Sequence, residues 1–292
     1  MLENTALEAL MDNITTELII NEIKSTLPTD QNSWDILGFL NYNHDILAFG
    51  SDSKIIGRLF EIIIVPTLKQ VAENLGCTLY ESEQQTVYPD FWLEKPNGRL
   101  VAIDIKSTYR KFNMSGSVKN FNFTLGAFSS FLRNGTKNIA RPYSQFDSHI
   151  VVGFLYTRNE NATTGLSTLE DSNSITPAYE DVEVFVQEKY KIAGFRKGSG
   201  NTNNIGTISA DSIDAFSNGD SYFADLGNDV FEDYWSHYPL YTDTKETKAN
   251  LYTNLEEYFK WLEKDPSQIQ KSLELQKIYT NWLNKNQNNS IR

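Results

Sequence analysis

The chain of 292 residues contains a single cysteine, Cys77. One cysteine excludes an intrachain disulfide, and we expect a reducing, cytoplasmic location. The strongly apolar run Ile62–Val65 spans only four residues, whereas a transmembrane helix needs about 20. The first residues are acidic and carry neither a basic n-region nor an apolar h-region. The sequence therefore predicts no secretory signal and no membrane partner.

Sequence signatures of several enzyme classes are also missing. No Walker loop occurs, and Gly198–Gly200 lacks the spacing of a nucleotide-binding loop. The chain has three histidines, His44, His149 and His237, which have no metal-ligand spacing and no serine or cysteine nucleophile pattern near them. These absences argue against P-loop nucleotide hydrolases and against hydrolases that use a serine or cysteine nucleophile.

Apolar and aromatic residues, in contrast, are plentiful. They make up 40% and 13% of the chain, which is ample for a packed core and excludes global disorder. The 26 Lys and Arg residues face 38 Asp and Glu residues, for a formal net charge of −12. This total, taken alone, argues against a nucleic-acid partner, which usually leaves a basic footprint.

The charges are, however, distributed unevenly. Residues 1–50 hold eight acids and one base, and residues 211–233 hold seven acids and no base. A first basic island, residues 91–141, holds nine bases against two acids, and a second, residues 189–206, holds four bases and no acid. We interpret the chain as an acidic protein with two basic islands, although a single charge run is most often a solvated face.

Apolar spacing and punctuating residues predict the local structure. Helical spacing indicates helices over Asn4–Leu27 and Lys54–Gly76. Ser51 or Ser53 is expected to cap the second helix, and Pro66 is expected to kink or divide it. The C-terminal third is predicted to be mostly helical. The predicted strands are Thr78–Glu81, Val87–Leu93, Leu100–Tyr109, Ile150–Tyr156, Val182–Gln187 and Lys189–Phe195, with a polar loop over 159–177. Strands mixed with helices indicate an α/β or α+β fold.

The clearest local signal is a hairpin. The predicted strands Val87–Leu93 and Leu100–Tyr109 are separated by a short segment that contains Asn97-Gly98. Asn-Gly favours the positive φ angles that close a tight hairpin. We expect the last two predicted strands, Val182–Gln187 and Lys189–Phe195, to form a second hairpin.

Alternation along the first hairpin places charged side chains on one face. Residues two apart on a strand share a face, so Asp104 and Lys106 point one way. Ile103 and Ile105 then point the other way, into the core. Asp90 lies on the partner strand and can come alongside Asp104.

This arrangement has a chemical logic. Two carboxylates held together repel each other unless a cation lies between them, and oxygen ligands of this kind suit Mg²⁺ with a substrate phosphate. Beside such an ion, Lys106 can hold, orient or help deprotonate a water molecule. A bare Asp-x-Lys triplet is most often an ordinary ion pair on a half-exposed strand, and Glu61 on the upstream helix also reads as a surface glutamate. The flanking isoleucines and the preceding Pro89-Asp90 favour the catalytic interpretation.

An ordered set of stretches carries a family resemblance. Pro89-Asp90 followed by Asp104-x-Lys106 matches the signature of the PD-(D/E)xK nucleases, and the wider set resembles the EcoRV-type type II restriction endonucleases. The stretches are Gly50–Pro66, Gln84–Pro96, Ala102–Tyr109, Phe123–Ile139, Val151–Arg158, Ile192–Gly206 and Phe231–Pro239. The resemblance implies an α/β fold with a restriction-endonuclease-like mixed β-sheet flanked by helices.

The resemblance also implies roles for individual residues. Asp90, Asp104 and Glu61 resemble the acidic residues that bind the metal, and Lys106 resembles the catalytic lysine. Residues 198–206 resemble the recognition loop that enters the DNA major groove, where a glycine lets the backbone approach base edges closely. The implied DNA contacts are Gln84, Gln85, Thr108, Lys137, Arg158, Gly198, Ser199, Gly200, Asn201, Thr202, Asn203 and Asn204.

Taken further, the resemblance implies a homodimer that cleaves double-stranded DNA at a palindrome, because two-fold protein symmetry matches two-fold site symmetry. The implied reaction is Mg²⁺-dependent hydrolysis by water at GATATC, with a blunt central cut, and a cognate DNA adenine methyltransferase protects the host. We expect a single nuclease domain over residues 1–292. Its parts are a dimerisation region of about 1–50, a catalytic and recognition core of about 51–261 and a C-terminal extension of about 262–292.

Some positions depart from the family pattern, and two alternatives remain open. Thr86 and Val87 stand where the family has an amide and an imidazole, and Asn203 replaces a threonine. One alternative is a structure-selective DNA repair or recombination nuclease with the same core; the long Gly/Asn-rich loop argues against it. The other is a catalytically silent DNA-binding module; the intact catalytic set argues against that.

Overall fold

The computed structural model describes residues 14–198, 203–240, 242–243 and 252–286. The strands are β1 (Phe39–Leu40), β2 (Ile46–Phe49), β3 (Thr78–Glu81), β4 (Phe91–Glu94), β5 (Leu100–Tyr109), β6 (Thr124–Ala127), β7 (Phe146–Arg158), β8 (Thr164–Ser167), β9 (Tyr179–Glu188), β10 (Ala193–Lys197) and β11 (Asn204–Thr207). The helices are α1 (Thr16–Thr26), α2 (Ser53–Ile63), α3 (Val65–Leu75), α4 (Lys189–Ile192), α5 (Asp214–Asn218), α6 (Tyr222–Leu226), α7 (Asn228–Ser236), α8 (Leu255–Leu262) and α9 (Ile269–Asn286).

A five-stranded mixed sheet forms the centre of the molecule. Its order is β3-β4-β5-β7-β9, with β5 parallel to β7 and the other neighbours antiparallel. Side chains alternate across β7, so that Val151 and Leu155 enter one apolar core while Val152 and Phe154 enter the other. The sheet is therefore covered on both faces, and the expected α/β fold with a mixed sheet flanked by helices is confirmed.

The predicted helix Lys54–Gly76 is present but divided. It forms α2 and α3, which meet at Ile64, and Pro66 lies in the first turn of α3, where its missing N–H costs nothing. The cap of α2 is neither Ser51 nor Ser53: the Asp52 side chain accepts hydrogen bonds from the backbone N–H groups of Lys54 and Ile55. Gly76 ends α3 in the left-handed conformation, at φ 64°.

Two other local expectations are wrong. Lys189–Phe195 is not a strand of a hairpin with Val182–Gln187, because Lys189–Ile192 forms the helical turn α4 and β10 pairs with β11 instead. The polar segment 159–177 contains β8, which pairs with β2. The β8–β2 pairing joins segments that lie far apart in the sequence, and local propensity does not encode it. The β10–β11 pairing, in contrast, is a hairpin between strands that follow each other along the chain.

The predicted terminal helices agree with the structure where it describes them. The N-terminal helix runs over Thr16–Thr26, and the predicted residues 4–13 lie outside the described residues. The C-terminal third is helical in α7, α8 and α9. In the part of the chain that the structure describes, no helix is long and apolar enough to cross a membrane.

Gly153 of β7 gives a test of the central packing. A Cβ at this position would lie 1.9 Å from Cε1 of Phe185, a buried ring that is itself held by Phe123 and Phe216. We expect Gly153→Ala to lower the free energy of unfolding by about 2–3 kcal/mol in urea denaturation, because the ring has no room to move. Gly57→Ala is the matched control, since its new Cβ would meet only Ser107 Oγ at 3.4 Å. Equal stability of the two variants would contradict this account.

Candidate active site

The β4–β5 hairpin places the catalytic candidates side by side. Phe91 of β4 pairs with Ile103 of β5, so Asp90 lies next to the middle of β5. Its Oδ2 accepts a hydrogen bond from the backbone N–H of Ile105 at 2.7 Å. Ile103 and Ile105 are buried in the core, and Asp104 lies on the opposite face of the strand. The alternation expected from the sequence is present.

Lys106 lies between the two carboxylates. Its Nζ is 2.9 Å from Asp104 Oδ1 and 3.8 Å from Asp90 Oδ2, and it donates to the carbonyl of Ile105 at 3.0 Å. Burial opposes the charge of Lys106, but the carboxylates of Asp104 and Asp90 outweigh it and raise the pKa of the lysine to about 12. The lysine is therefore an ammonium ion at neutral pH.

Asp90 carries a strongly perturbed carboxyl group. Burial raises its pKa to about 7, and the neighbouring charge of Asp104 adds to the rise. Lys106 and the N–H of Ile105 act in the opposite direction and do not compensate fully. A carboxylate that resists ionisation at neutral pH gains most from an added cation.

Asp104 supplies a second sign of a cation-binding role. It is 3% exposed, and its Oδ2 has no hydrogen-bond partner. A buried carboxylate oxygen without a partner is costly, and a divalent ion shared with Asp90 would satisfy it. Within the described ranges, no group of three or more His, Cys, Asp or Glu residues is close enough to hold a metal ion. The donors present are thus a pair of carboxylates, of the hard oxygen type that Mg²⁺ prefers.

Glu61 lies near this pair but is engaged elsewhere. It projects from α2, and its Oε2 is 2.5 Å from Nη1 of Arg58, which also lies 3.5 Å from Glu81. Its charge nevertheless raises the pKa of both Asp90 and Lys106. A metal-binding role for Glu61 stays a prediction, because that role requires the carboxylate to leave Arg58.

Sequence reasoning missed an aromatic layer behind the site. The ring of Tyr88 stacks on Phe131 with centroids 4.0 Å apart, and its hydroxyl lies 2.8 Å from Nδ1 of His149. Lys189 Nζ lies 4.2 Å from the centroid of Tyr88 and 4.6 Å from that of Phe131. The ammonium is buried without a hydrogen-bond partner, so ring faces are its nearest support.

The charge state of Lys189 depends on the catalytic candidates. Burial lowers its pKa to about 8, and the charges of Asp104 and Asp90 limit the fall. This lysine belongs to the second basic island, yet it is only 3% exposed. The sequence offers no other indication of the role of Lys189 than its position in a basic run, and a basic run predicts an exposed side chain that contacts solvent or DNA.

The backbone-contact candidates lie in several separate elements. Gln84 and Gln85 are exposed between β3 and β4, and Gln84 borders a cleft of about 390 Å³. Thr108 follows Lys106 by two residues on β5 and lines a second cleft of about 380 Å³. Lys137 is exposed in a turn. Arg158 is exposed at the end of β7 and donates to Ser51 Oγ at 3.2 Å.

The predicted recognition loop connects β10 and β11. The N–H of Gly198 donates to the carbonyl of Asn204 at 2.9 Å, and the N–H of Phe128 donates to that of Asn203 at 3.0 Å. A Cβ on Gly198 would lie 2.9 Å from Cγ2 of Thr124, so close packing requires glycine here. The remaining predicted contacts lie outside the described residues: Ser199, Gly200, Asn201 and Thr202.

The mixed sheet, its flanking helices and the Asp-x-Lys hairpin are those of an α/β endonuclease. The family model "Restriction endonuclease EcoRV" matches residues 30–263. The chain is 37% identical to the type II restriction enzyme EcoRV of Escherichia coli over 247 residues, 83% of this chain and 96% of that protein. Among solved structures, the NlaIV restriction endonuclease is 13% identical, with a TM-score of 0.36 over 96% of this chain and 92% of that one. The chain belongs to the EcoRV restriction endonuclease family and is a DNA-hydrolysing enzyme of the type II class.

Asp90 gives a prediction about stability. Its pKa rises from 3.8 to about 7 on folding, so the folded protein binds more protons than the unfolded chain between about pH 4 and 7. Stability of the metal-free protein therefore falls as the pH rises through that window. We expect Asp90→Asn to raise the free energy of unfolding at pH 8 by about 1–4 kcal/mol and to flatten the fall.

Urea denaturation at several pH values, without divalent cations, measures this effect. Exposed Asp229 provides the control, Asp229→Asn, which should leave the pH dependence as it is. A loss of stability at pH 8 in Asp90→Asn would show that the ionised Asp90 does not destabilise the folded protein.

Proposed function

We propose that the protein is a Mg²⁺-dependent restriction endonuclease that cleaves double-stranded DNA at a palindrome. The expected site is GATATC, with a blunt cut at its centre. The observation that carries the proposal is the pair Asp90 and Asp104 around Lys106, with a buried Asp104 oxygen that has no partner. The 37% identity to EcoRV over most of the chain supports the choice of site and metal.

The residues present fit a divalent cation. Asp104 Oδ2 and the carboxylate of Asp90 are the donors that would hold it, with Glu61 as the supporting acid. When bound, Mg²⁺ would supply Lewis-acid polarisation of the scissile phosphate and a more acidic water ligand. Asp90 keeps its place through the N–H of Ile105, which fixes the carboxylate against β5.

Lys106 contributes a fixed positive charge to the site. Its ammonium is held by Asp104 and by the carbonyl of Ile105, so it does not have to be ordered when DNA arrives. Placed beside a phosphate, it donates hydrogen bonds to the non-bridging oxygens, whose negative charge increases during attack by water. The isoleucines behind β5 exclude bulk water from its rear face.

The recognition role belongs to the loop between β10 and β11. We assign base reading to Gly198 to Asn204, where backbone groups and amides reach base edges in the major groove. Gln84, Gln85, Thr108, Lys137 and Arg158 contact the sugar–phosphate backbone and position the protein. The contacts of Lys137 and Arg158 neutralise phosphate charge, so binding should weaken as salt rises.

The small sheet β1-β2-β8 supports a homodimer. Phe39 pairs with Leu47, which pairs with Leu166, and these side chains are 44%, 44% and 64% exposed. An exposed apolar row on a sheet face is typical of a protein interface. We assign it to a second copy of the chain, in the dimerisation region of about residues 1–50 together with β8.

The same proposal sets the biological context. About residues 51–261 form the catalytic and recognition core, and about 262–292 form a C-terminal extension of a single nuclease domain. A single cysteine suits the cytoplasm. The functional partner is a DNA adenine methyltransferase that modifies the same site, since a cell must protect its own DNA from such an enzyme.

A cleavage-end map tests the proposal directly. Purified protein is incubated with plasmid DNA and Mg²⁺, and the ends are sequenced; we expect blunt ends at GATATC only. Asp104→Ala should slow cleavage by at least about 10²–10³-fold, because it removes a main electrostatic support. Asp229→Ala, at an exposed position of the acidic run 211–233, should cleave the same site at the wild-type rate. Smeared products, or preference for junctions and flaps, would instead favour a structure-selective nuclease.

The dimer surface has its own test. Leu47→Asp combined with Leu166→Asp places two charges in the apolar row, and we expect monomers in sedimentation equilibrium. Leu169→Asp is the control, because Leu169 is 56% exposed but lies outside the paired strands. If the double variant remains a dimer, the row is not the interface.

A further inference from the structure

An edge strand of the recognition hairpin is held by side chains from another part of the chain. In the sheet β10-β11-β6, β10 is at the edge, so one side of its backbone has no neighbouring strand among the described residues. Unpaired backbone groups at such an edge are costly when buried. Here they are paired with side chains of the segment 221–235.

Four backbone groups in three consecutive residues of β10 form such bonds. Ser221 Oγ donates to the carbonyl of Ala193 at 2.5 Å, and Trp235 Nε1 donates to that of Gly194 at 3.2 Å. Phe195 is bonded twice: its N–H donates to the Tyr222 hydroxyl, and its carbonyl accepts from the Tyr234 hydroxyl at 2.8 Å. The strand that leads into the recognition loop is thus fixed by side chains over three successive residues.

The Tyr222 ring in turn rests on the C-terminal helix α9. Its centroid lies 5.3 Å from Trp282 and 6.0 Å from Tyr279, both in edge-on contacts. Tyr222 is 4% exposed, and Tyr279 and Trp282 are among the buried residues of α9. The helix also packs against α8, where Ser272 Oγ donates to the carbonyl of Phe259 at 2.9 Å.

The helix α9 lies beyond the part of the chain that the family model covers. The model ends at residue 263, and α9 begins at Ile269. The contacts of Trp282 and Tyr279 with Tyr222 are therefore a property of this chain rather than of the matched region. They form a continuous path from α9 through Tyr222 to Phe195, three residues before Gly198.

We propose that α9 positions the recognition hairpin through Tyr222 and so sharpens the discrimination between the DNA site and its near matches. This inference rests on the proposed function, because the hairpin is taken as the element that reads DNA. Reading base edges by backbone groups requires placement within about 0.5 Å. Loss of the Tyr222 hydroxyl leaves the Phe195 N–H without its acceptor and frees this strand to shift.

Hydrogen–deuterium exchange of the DNA-free, full-length protein tests the physical part. We expect Tyr222→Phe and Trp282→Ala to speed exchange in peptides covering β10 by about tenfold, the effect of one lost hydrogen bond, with β5 peptides unchanged. Tyr279→Phe and Leu283→Ala are the matched controls on α9, since Tyr279→Phe keeps the ring that contacts Tyr222 and Leu283 is 39% exposed. Unchanged exchange in both test variants would overturn the proposal.

Cleavage kinetics test the functional part. We expect the ratio of kcat/KM at the DNA site to that at a site with one altered base pair to fall about tenfold in Tyr222→Phe and Trp282→Ala. Turnover of the correct site at saturation should change little, because the catalytic hairpin is untouched. Tyr222→Phe keeps the ring, so it separates positioning from the loss of packing in Trp282→Ala. Faster exchange with an unchanged ratio would overturn the role in discrimination.

The two proposals fail in different ways. If the wild-type protein cut no fixed DNA site, the proposed function would fail, and the role in discrimination would fail with it. The exchange measurement would still decide whether α9 holds the hairpin, because it uses no DNA. Site-specific cleavage by the wild type with identical exchange in all variants would leave the function standing and remove the inference.

Discussion

The confinement of two carboxylates and a lysine at one point of β5 is the constraint on which the site depends. Burial raises the pKa of Asp90 to about 7, and repulsion by Asp104 adds to the rise even with Lys106 between the two carboxylates. The surrounding structure has to impose this arrangement. It does so from two sides, with the isoleucine face of β5 on one and the stacked rings of Tyr88 and Phe131 near Lys189 on the other.

The acidic run 211–233 has a structural role that its charge pattern does not predict. It contains α5, α6 and the start of α7, whose aromatic and hydroxyl side chains pair with the backbone of β10. Several of its acids are hydrogen-bonded as well: Glu232 accepts from the Tyr143 hydroxyl at 2.9 Å, and Asp233 accepts from that of Tyr258. The sequence shows only a solvated acidic face at this position, because a charge pattern does not say which hydroxyl groups will meet it in the fold.

Features encoded locally were predictable, and those set by distant partners were not. The hairpin follows from Asn97-Gly98 and from alternation along Leu100–Tyr109, and the strand Thr78–Glu81 has the expected bounds. The burial of Lys189 depends on rings that only the folded chain brings near it, whereas the pairing of Glu61 with Arg58 is a local contact between residues three apart on α2. For the same reason the two aspartates could be found from sequence, since one hairpin holds both, whereas the third carboxylate was placed by family resemblance alone.

Several bases of the first basic island bind groups of the protein itself. Lys95 and Arg99 both bind Asp147, and Arg110 binds Glu183. Arg133 donates to the carbonyl of Ser236. Of the island's nine bases, those that are exposed and make no ion pair with any described residue are Lys111, Lys119, Lys137 and Arg141. The surface charge that this island can offer to phosphates is therefore smaller than the sum over its sequence. A net charge of −12 is thus compatible with DNA binding, because a few well-placed cations determine the phosphate contacts.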